Sequence, residues 1–205
     1  MAGSLDIAVL TGRDPALRAC IPDLAKLRIT VFRDFPYLYD GTLEYEESYL
    51  ETFLRCPESV VVLARDEGRV VGASTGLPLE AETTEFQQPF IEQGHDPGQI
   101  FYCAESVLLP DYRGRGVYTQ FFKGREAHAL RLGRFSRSAF CCVMRAADHP
   151  LQPEGYAPLD EIWRRFGYCR HDELVMRYLW KDVDQPEETE KRMVFWLKSL
   201  GNSDE

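Results

Sequence analysis

The chain has 205 residues, enough for one domain with a sizeable core. Hydrophobic residues make up 44% and charged residues 28%, an ordinary globular mixture, and the formal net charge is -9. So acidic a chain is a poor match for nucleic acid or an anionic membrane surface, and would suit a cationic acceptor such as an amine.

Residues 6–11 (DIAVLT) read as a short strand. Asp14-Pro15 then signals a helix start, with Asp as N-cap and Pro at the first helical position. Leu17, Ile21, Leu24, Leu27 and Val31 carry the helical spacing on to about Phe32, although Pro22 should kink or break it. An aromatic-rich loop spans 35–41, and residues 43–55 predict a second helix. Residues 59–66 and 69–77 are β-branched runs joined by Asp66-Glu67-Gly68, the signature of a hairpin. A short helix is expected over 84–93, a loop at 95–98, and a strand over 100–109 that Pro110 stops. A Gly-rich loop follows, then a helix from about Gly116 to Leu132. Residues 138–145 read as another strand, 146–158 as a long loop, and 159–166 as a short helix closed by Gly167. Tyr168-Cys169 begins the next strand, and 174–181 closes the sheet. After Gln185-Pro186 a polar helix of about a dozen residues is expected. The order of elements indicates a mixed α/β (α+β) sheet with flanking helices.

The strongest chemical signal is strand, then Arg113-Gly114-Arg115-Gly116-Val117-Tyr118-Thr119, then helix. Two glycines let the backbone turn with no Cβ in the way. Successive N–H groups can then converge at the positive end of a helix, which suits phosphate. Arg113 and Arg115 add charge and Thr119 a hydroxyl, so a diphosphate is the natural ligand. The loop is neither GxxxxGK[ST] nor GxGxxG, because position 119 is Thr.

The run LLPDYRGRGVYTQFF resembles the coenzyme A loop of the GNAT acetyltransferase superfamily, whose pattern is Gln/Arg-x-x-Gly-x-Gly/Ala. Arg113 fills the first position and Gly116 the fourth, while Tyr118 stands where Gly or Ala is usual. Leu108-x-Pro110 matches the hydrophobic-x-Pro before that loop. Arg69–Ala73 resembles part of the family's second and third strands, and Ile162–Tyr168 its late helix-to-strand signature. The match spans roughly residues 5–180. The resemblance implies a mostly antiparallel, twisted sheet splayed between strands 4 and 5, with acyl-CoA held in the gap. Residues 1–182 would be a single acyltransferase domain. Residues 183–205 would be a C-terminal helix and tail packed on that domain or on a partner, with a homodimer open.

The activity implied is N-acetyl transfer from acetyl-CoA to a primary amine by direct attack in a ternary complex. Cofactor contacts would come from Val107, Leu108, Leu109 and residues 113–119, with the N–H groups of Val107 and Leu109 suited to an oxyanion. Glu105, a carboxylate in an apolar strand, is the candidate base, since burial raises a carboxyl toward a working range. Equally, it reads as a buried carboxylate paired with an arginine such as Arg145. The family often carries its acid, a Tyr, where this chain has Trp163; Tyr156, Tyr168 and His149 are the substitutes, and Tyr156 and His149 also read as loop-packing residues. Phe35, Tyr37, Tyr39, Asp40 and Glu44–Glu47 would wall an amine pocket or form a solvated helix face. No nucleophile elbow and no metal-ligand spacing occurs. A different class remains: a non-catalytic acyl-CoA-binding or regulatory module, which the Trp163 and Tyr118 departures favour. A globular domain whose loop binds no CoA is a third. Six cysteines without a CxxC pair, no apolar leader core and no membrane-length apolar run suggest a cytoplasmic protein with reduced thiols.

Overall fold

The computed structural model describes residues 5–201. Seven strands form one sheet in the order β1-β2-β3-β4-β5-β7-β6. They are β1 (Asp6–Thr11), β2 (Val60–Asp66), β3 (Arg69–Pro78), β4 (Ile100–Leu108), β5 (Arg137–Val143), β6 (Cys169–Lys181) and β7 (Glu188–Ser199). Helices α1 (Ala16–Phe32) and α2 (Leu43–Arg55) lie between β1 and β2, and α3 (Thr84–Glu92) follows β3. Helix α4 (Val117–Leu132) links β4 to β5, and α5 (Asp160–Arg165) precedes β6.

The run VVVL in β2 is buried throughout, which fits a strand covered on both faces. Val61 and Leu63 join the core beneath α1 and α2, whereas Val60 and Val62 join the core beneath α4. The β2–β3 hairpin turns through Glu67 (φ 49°) and Gly68 (φ 85°), the positive angles a tight hairpin needs. Asp14 Oδ1 accepts from Ala16 N–H at 2.9 Å, and α1 continues through Pro22 rather than breaking there.

Two features of β4 position everything that follows. First, Thr75 pairs with Glu105 while Leu77 pairs with Tyr102, so three steps along β4 oppose two along β3. This bulge inserts one residue and shifts the alternation of faces. Phe101 and Cys103 point to the α4 side, yet Val107 and Glu105 share the α1/α2 side with Tyr102. Second, β4 is parallel to β5 and pairs with it only at Ile100–Arg137, Phe101–Ser138 and Tyr102–Ala139. Beyond Tyr102 the strands part, which is the splay expected from the resemblance.

The far half of the sheet corrects the sequence reading. Residues 188–199 are not a terminal helix but strand β7, inserted between β5 and β6 and antiparallel to both. The reason is that Met193 to Leu197 are all buried, so the segment needs cover on two faces, which a helix stripe on the surface would not give. The segment after residue 182 is therefore part of the sheet rather than an appendage to it. Residues 168–169 and 174–181 are likewise one strand, β6, with a register shift between His171 and Val175.

Candidate active site

The parted strands open a cleft of about 1200 Å³. One end is the glycine loop. Gly114 (φ 74°) and Gly116 (φ 77°) both hold left-handed angles that disfavour a Cβ, and nothing lies within 4 Å of where one would project. Gly116 caps α4 without a side-chain bond, leaving the first-turn N–H groups to an outside acceptor. That open cradle at the N-terminus of a 16-residue helix fits a diphosphate.

Of the expected loop contacts, Leu108, Arg113, Gly114, Gly116, Tyr118 and Thr119 line the cleft. Arg115 instead stacks over Tyr112, its guanidinium carbon 5.0 Å from the ring centroid. Val117 and Val107 are buried in the two cores. The expected oxyanion donors also change. Leu109 N–H is spent on Val71 O at 3.0 Å, and strand alternation sends Val107 N–H the same way. The N–H groups of Ser106 and Leu108 are the ones that face the gap. Arg113 Nε reaching Leu108 O at 3.4 Å agrees with that orientation.

A second cavity of about 420 Å³ lies on the α1/α2 side. Its walls are aromatic, with Tyr39, Tyr45, Tyr49, Phe86, Tyr102, Tyr178 and Trp180 among them. Phe32, Tyr37, Ala104 and Glu105 line both cavities, so Glu105 stands at their junction. The β4 bulge puts it there.

Glu105 is 6% exposed and pairs with Arg28 at 2.5 Å. Arg28 also binds Glu46, whose other carboxylate oxygen has no hydrogen-bond partner among the described residues. Two carboxylates thus share one guanidinium, leaving a net negative floor to the pocket. Burial pulls the Arg28 pKa down, but Glu105 and Glu46 outweigh it and hold it well above its ordinary value. Nearby Glu82 is pushed up to about 7, by burial foremost and with a contribution from the Glu105 charge, while its bond from Thr83 N–H opposes. Tyr49 donates toward Glu82 at 3.5 Å and lies 4.5 Å beneath the Arg28 guanidinium.

Arg145 was an expected partner for Glu105 and is not one. It holds Asp182 through two bonds of 2.7 and 2.9 Å and also donates to Pro36 O and Tyr37 O. It thereby pins the loop shared by both cavities to the end of β6. Tyr156 lines the cleft, edge-on to Phe35 at 4.7 Å, and burial raises its phenol. His149 is not among the cleft-lining residues; its Nδ1 accepts from Leu151 N–H at 3.2 Å and caps its own loop. Tyr168 is buried in the α4 core against Ser138, away from the cleft. Trp163 lines the cleft and donates its indole N–H to Tyr118 at 3.0 Å. Arg28 is absent from the expected site, although its spacing marks it: it falls on the buried stripe of α1, four residues after Leu24 and three before Val31, where a charge needs a buried partner.

No family model and no curated protein matches the chain. Solved structures do. An acetyltransferase of the GNAT family from Streptococcus pneumoniae superposes with a TM-score of 0.57 at 12% identity, over 97% of this chain and 100% of that one. The fold is that of the GNAT acetyltransferases. Ribosomal-protein-alanine N-acetyltransferase from Brucella melitensis superposes with a TM-score of 0.60 at 16% identity, over 95% and 99% of the two chains. yncA from Salmonella typhimurium, solved with its cofactor acetyl-CoA, gives 0.61 at 9% identity over 99% and 98%. The GNAT fold accounts for the splayed β4 and β5 and for the glycine loop at the head of α4.

Proposed function

We propose that the protein transfers an acetyl or other acyl group from acyl-CoA to a primary amine, by direct attack in a ternary complex. The observation that carries this reading is Glu105 at the meeting point of two cavities. One is a long cleft with a diphosphate cradle, and the other an aromatic pocket with an acidic floor. Acyl-CoA supplies an activated thioester. Arg113, the glycine turn and the α4 N-terminus would hold its diphosphate, as the acetyl-CoA complex of the yncA structure supports. The chain's own residues do the rest. The pocket's aromatic faces and net negative floor attract a cationic amine. Glu105 takes the amine proton, and the Ser106 and Leu108 N–H groups face the side where oxyanion charge would develop. The six free thiols agree with a reducing compartment, the cytoplasm.

The engagement of Glu105 by Arg28 favours a second reading, a non-catalytic acyl-CoA-binding module. Thiol release from acetyl-CoA over a panel of small amines and peptides, beside calorimetric titration with CoA, separates the two. Turnover on any amine supports the enzyme. Tight CoA binding with no turnover across the panel supports the module.

A further inference from the structure

We infer that Tyr118 delivers the proton that the departing sulfur needs, and that Trp163 is the residue that positions it; the inference rests on the acyl-transfer reading above. Tyr118 sits at the second residue of α4, and its side chain enters the cleft where β4 and β5 have separated. Cys103 of β4 and Cys142 of β5 line the same cleft as Tyr118. Glu105 and the glycine loop line that cleft too.

The hydrogen bonding fixes what the hydroxyl can do. An indole N–H is a donor only, so the 3.0 Å bond from Trp163 occupies a lone pair of the Tyr118 oxygen. Among the described residues Tyr118 makes no other hydrogen bond, so its own proton is left to a ligand. The indole is itself held firmly. Its ring meets Phe140 edge-on at 5.0 Å and fully buried Trp196 at 5.1 Å. The Tyr118 ring rests edge-on against Phe122 at 5.2 Å. Burial pushes the phenol up, while the Trp163 bond and the Arg125 charge pull it down and would steady the phenolate. The two positions where the chain departs from the GNAT pattern are thus one hydrogen-bonded pair.

The proton balance closes. The ammonium first releases one proton to solvent; the freed nitrogen lone pair then bonds to the thioester carbon, and the nitrogen gives a second proton to Glu105. The carbon–sulfur bond breaks with its electron pair going to sulfur, and the Tyr118 proton follows, so a free thiol leaves. The phenolate then recovers a proton from solvent as Glu105 returns one to it. Tyr37 also faces the cleft and is the competing donor, but among the described residues no hydrogen bond orients its hydroxyl.

Two measurements test this. Calorimetry compares CoA with desulfo-CoA, which needs no acceptor. The wild type should prefer CoA several-fold, and Tyr118→Phe should lose that preference while binding desulfo-CoA as before. On an amine that the wild type acetylates, Tyr118→Phe should lower kcat about 100-fold with KM for acetyl-CoA unchanged. Trp163→Phe should lower kcat less and move the alkaline limb of kcat to higher pH, because the N–H that favoured the phenolate is gone. The inference is overturned if the wild type shows no sulfur preference, or if Tyr118→Phe turns over normally. It is equally overturned if Tyr37→Phe takes the loss instead, or if Tyr118→Gly binds CoA tenfold tighter, which would make the ring an obstruction. Absence of any CoA binding by the wild type would sink the acyl-transfer reading itself, a result distinct from all of these.

Discussion

The two cavities that meet at Glu105 are built from different materials. The long cleft is made by the backbone: two strands that stop pairing, two glycines with positive φ and the bare end of a helix. The aromatic pocket is made by side chains drawn from α1, α2, β4, β6 and the loop between the first two helices. A backbone site depends on a few local positions and tolerates change elsewhere. A side-chain site depends on every partner in its charge network. Substitutions should therefore act on the cleft through geometry and on the pocket through charge.

Glu105→Gln gives the largest expected effect. It should lower kcat by about 10²- to 10⁴-fold and leave CoA affinity intact, read by thiol release and calorimetry. Equal losses in both would mean that the two cavities are not separable. Arg28→Leu comes next. It leaves Glu46 and Glu105 buried without their shared cation, and should cost about 3–5 kcal/mol in urea unfolding. A loss below 1 kcal/mol would show that the pocket's charges are not coupled.

Glu82 sharpens the comparison through pH. Its folded pKa of about 7 exceeds its ordinary 4.5, so the folded state holds the proton more tightly. Below pH 4.5 both states are protonated and the group is neutral to stability. As pH rises from there to about 7 the unfolded chain gives up its proton first, so stability falls across that window. The contribution is on the order of 3 kcal/mol. Glu82→Gln should flatten the difference in melting temperature between pH 5 and pH 8; an unchanged slope would rule the group out. Smallest is Gly116→Ala, which forces a Cβ into a left-handed angle. It should cost about 1–2 kcal/mol of stability and weaken CoA about tenfold, with no change in pH dependence.

This division also decides what could be read from sequence. The first three strands, α1, α2 and the loop at 113–119 announce themselves by local spacing, and the structure keeps them. The aromatic pocket was legible in part, since Tyr37, Tyr39, Asp40, Tyr45 and Glu46 of the expected stretch line it, but its charge cluster was not, because Arg28, Glu46 and Glu105 meet only after α1 and α2 pack on β4. Glu105 was legible as a candidate, but its partner was missed. The bulge that turns it toward Arg28 leaves no mark in YCAE, residues 102–105. Tyr118 and Trp163 were visible only as two separate oddities 45 residues apart. The five apolar residues from Met193 to Leu197 were misread because a short apolar run fits a buried strand and a helix face alike.

The placement of β7 carries a consequence for how the protein is made. β5 and β6 have no bonds to one another; each pairs with β7. While residues 188–199 are still inside the ribosome, β6 has no strand to pair with, and the pocket wall formed by Tyr178 and Trp180 is not held in the sheet. The first four strands can assemble during synthesis, since they pair in chain order. The acceptor side must wait for β7, which joins β6 to the rest of the sheet, so the sheet edge and the pocket wall form together.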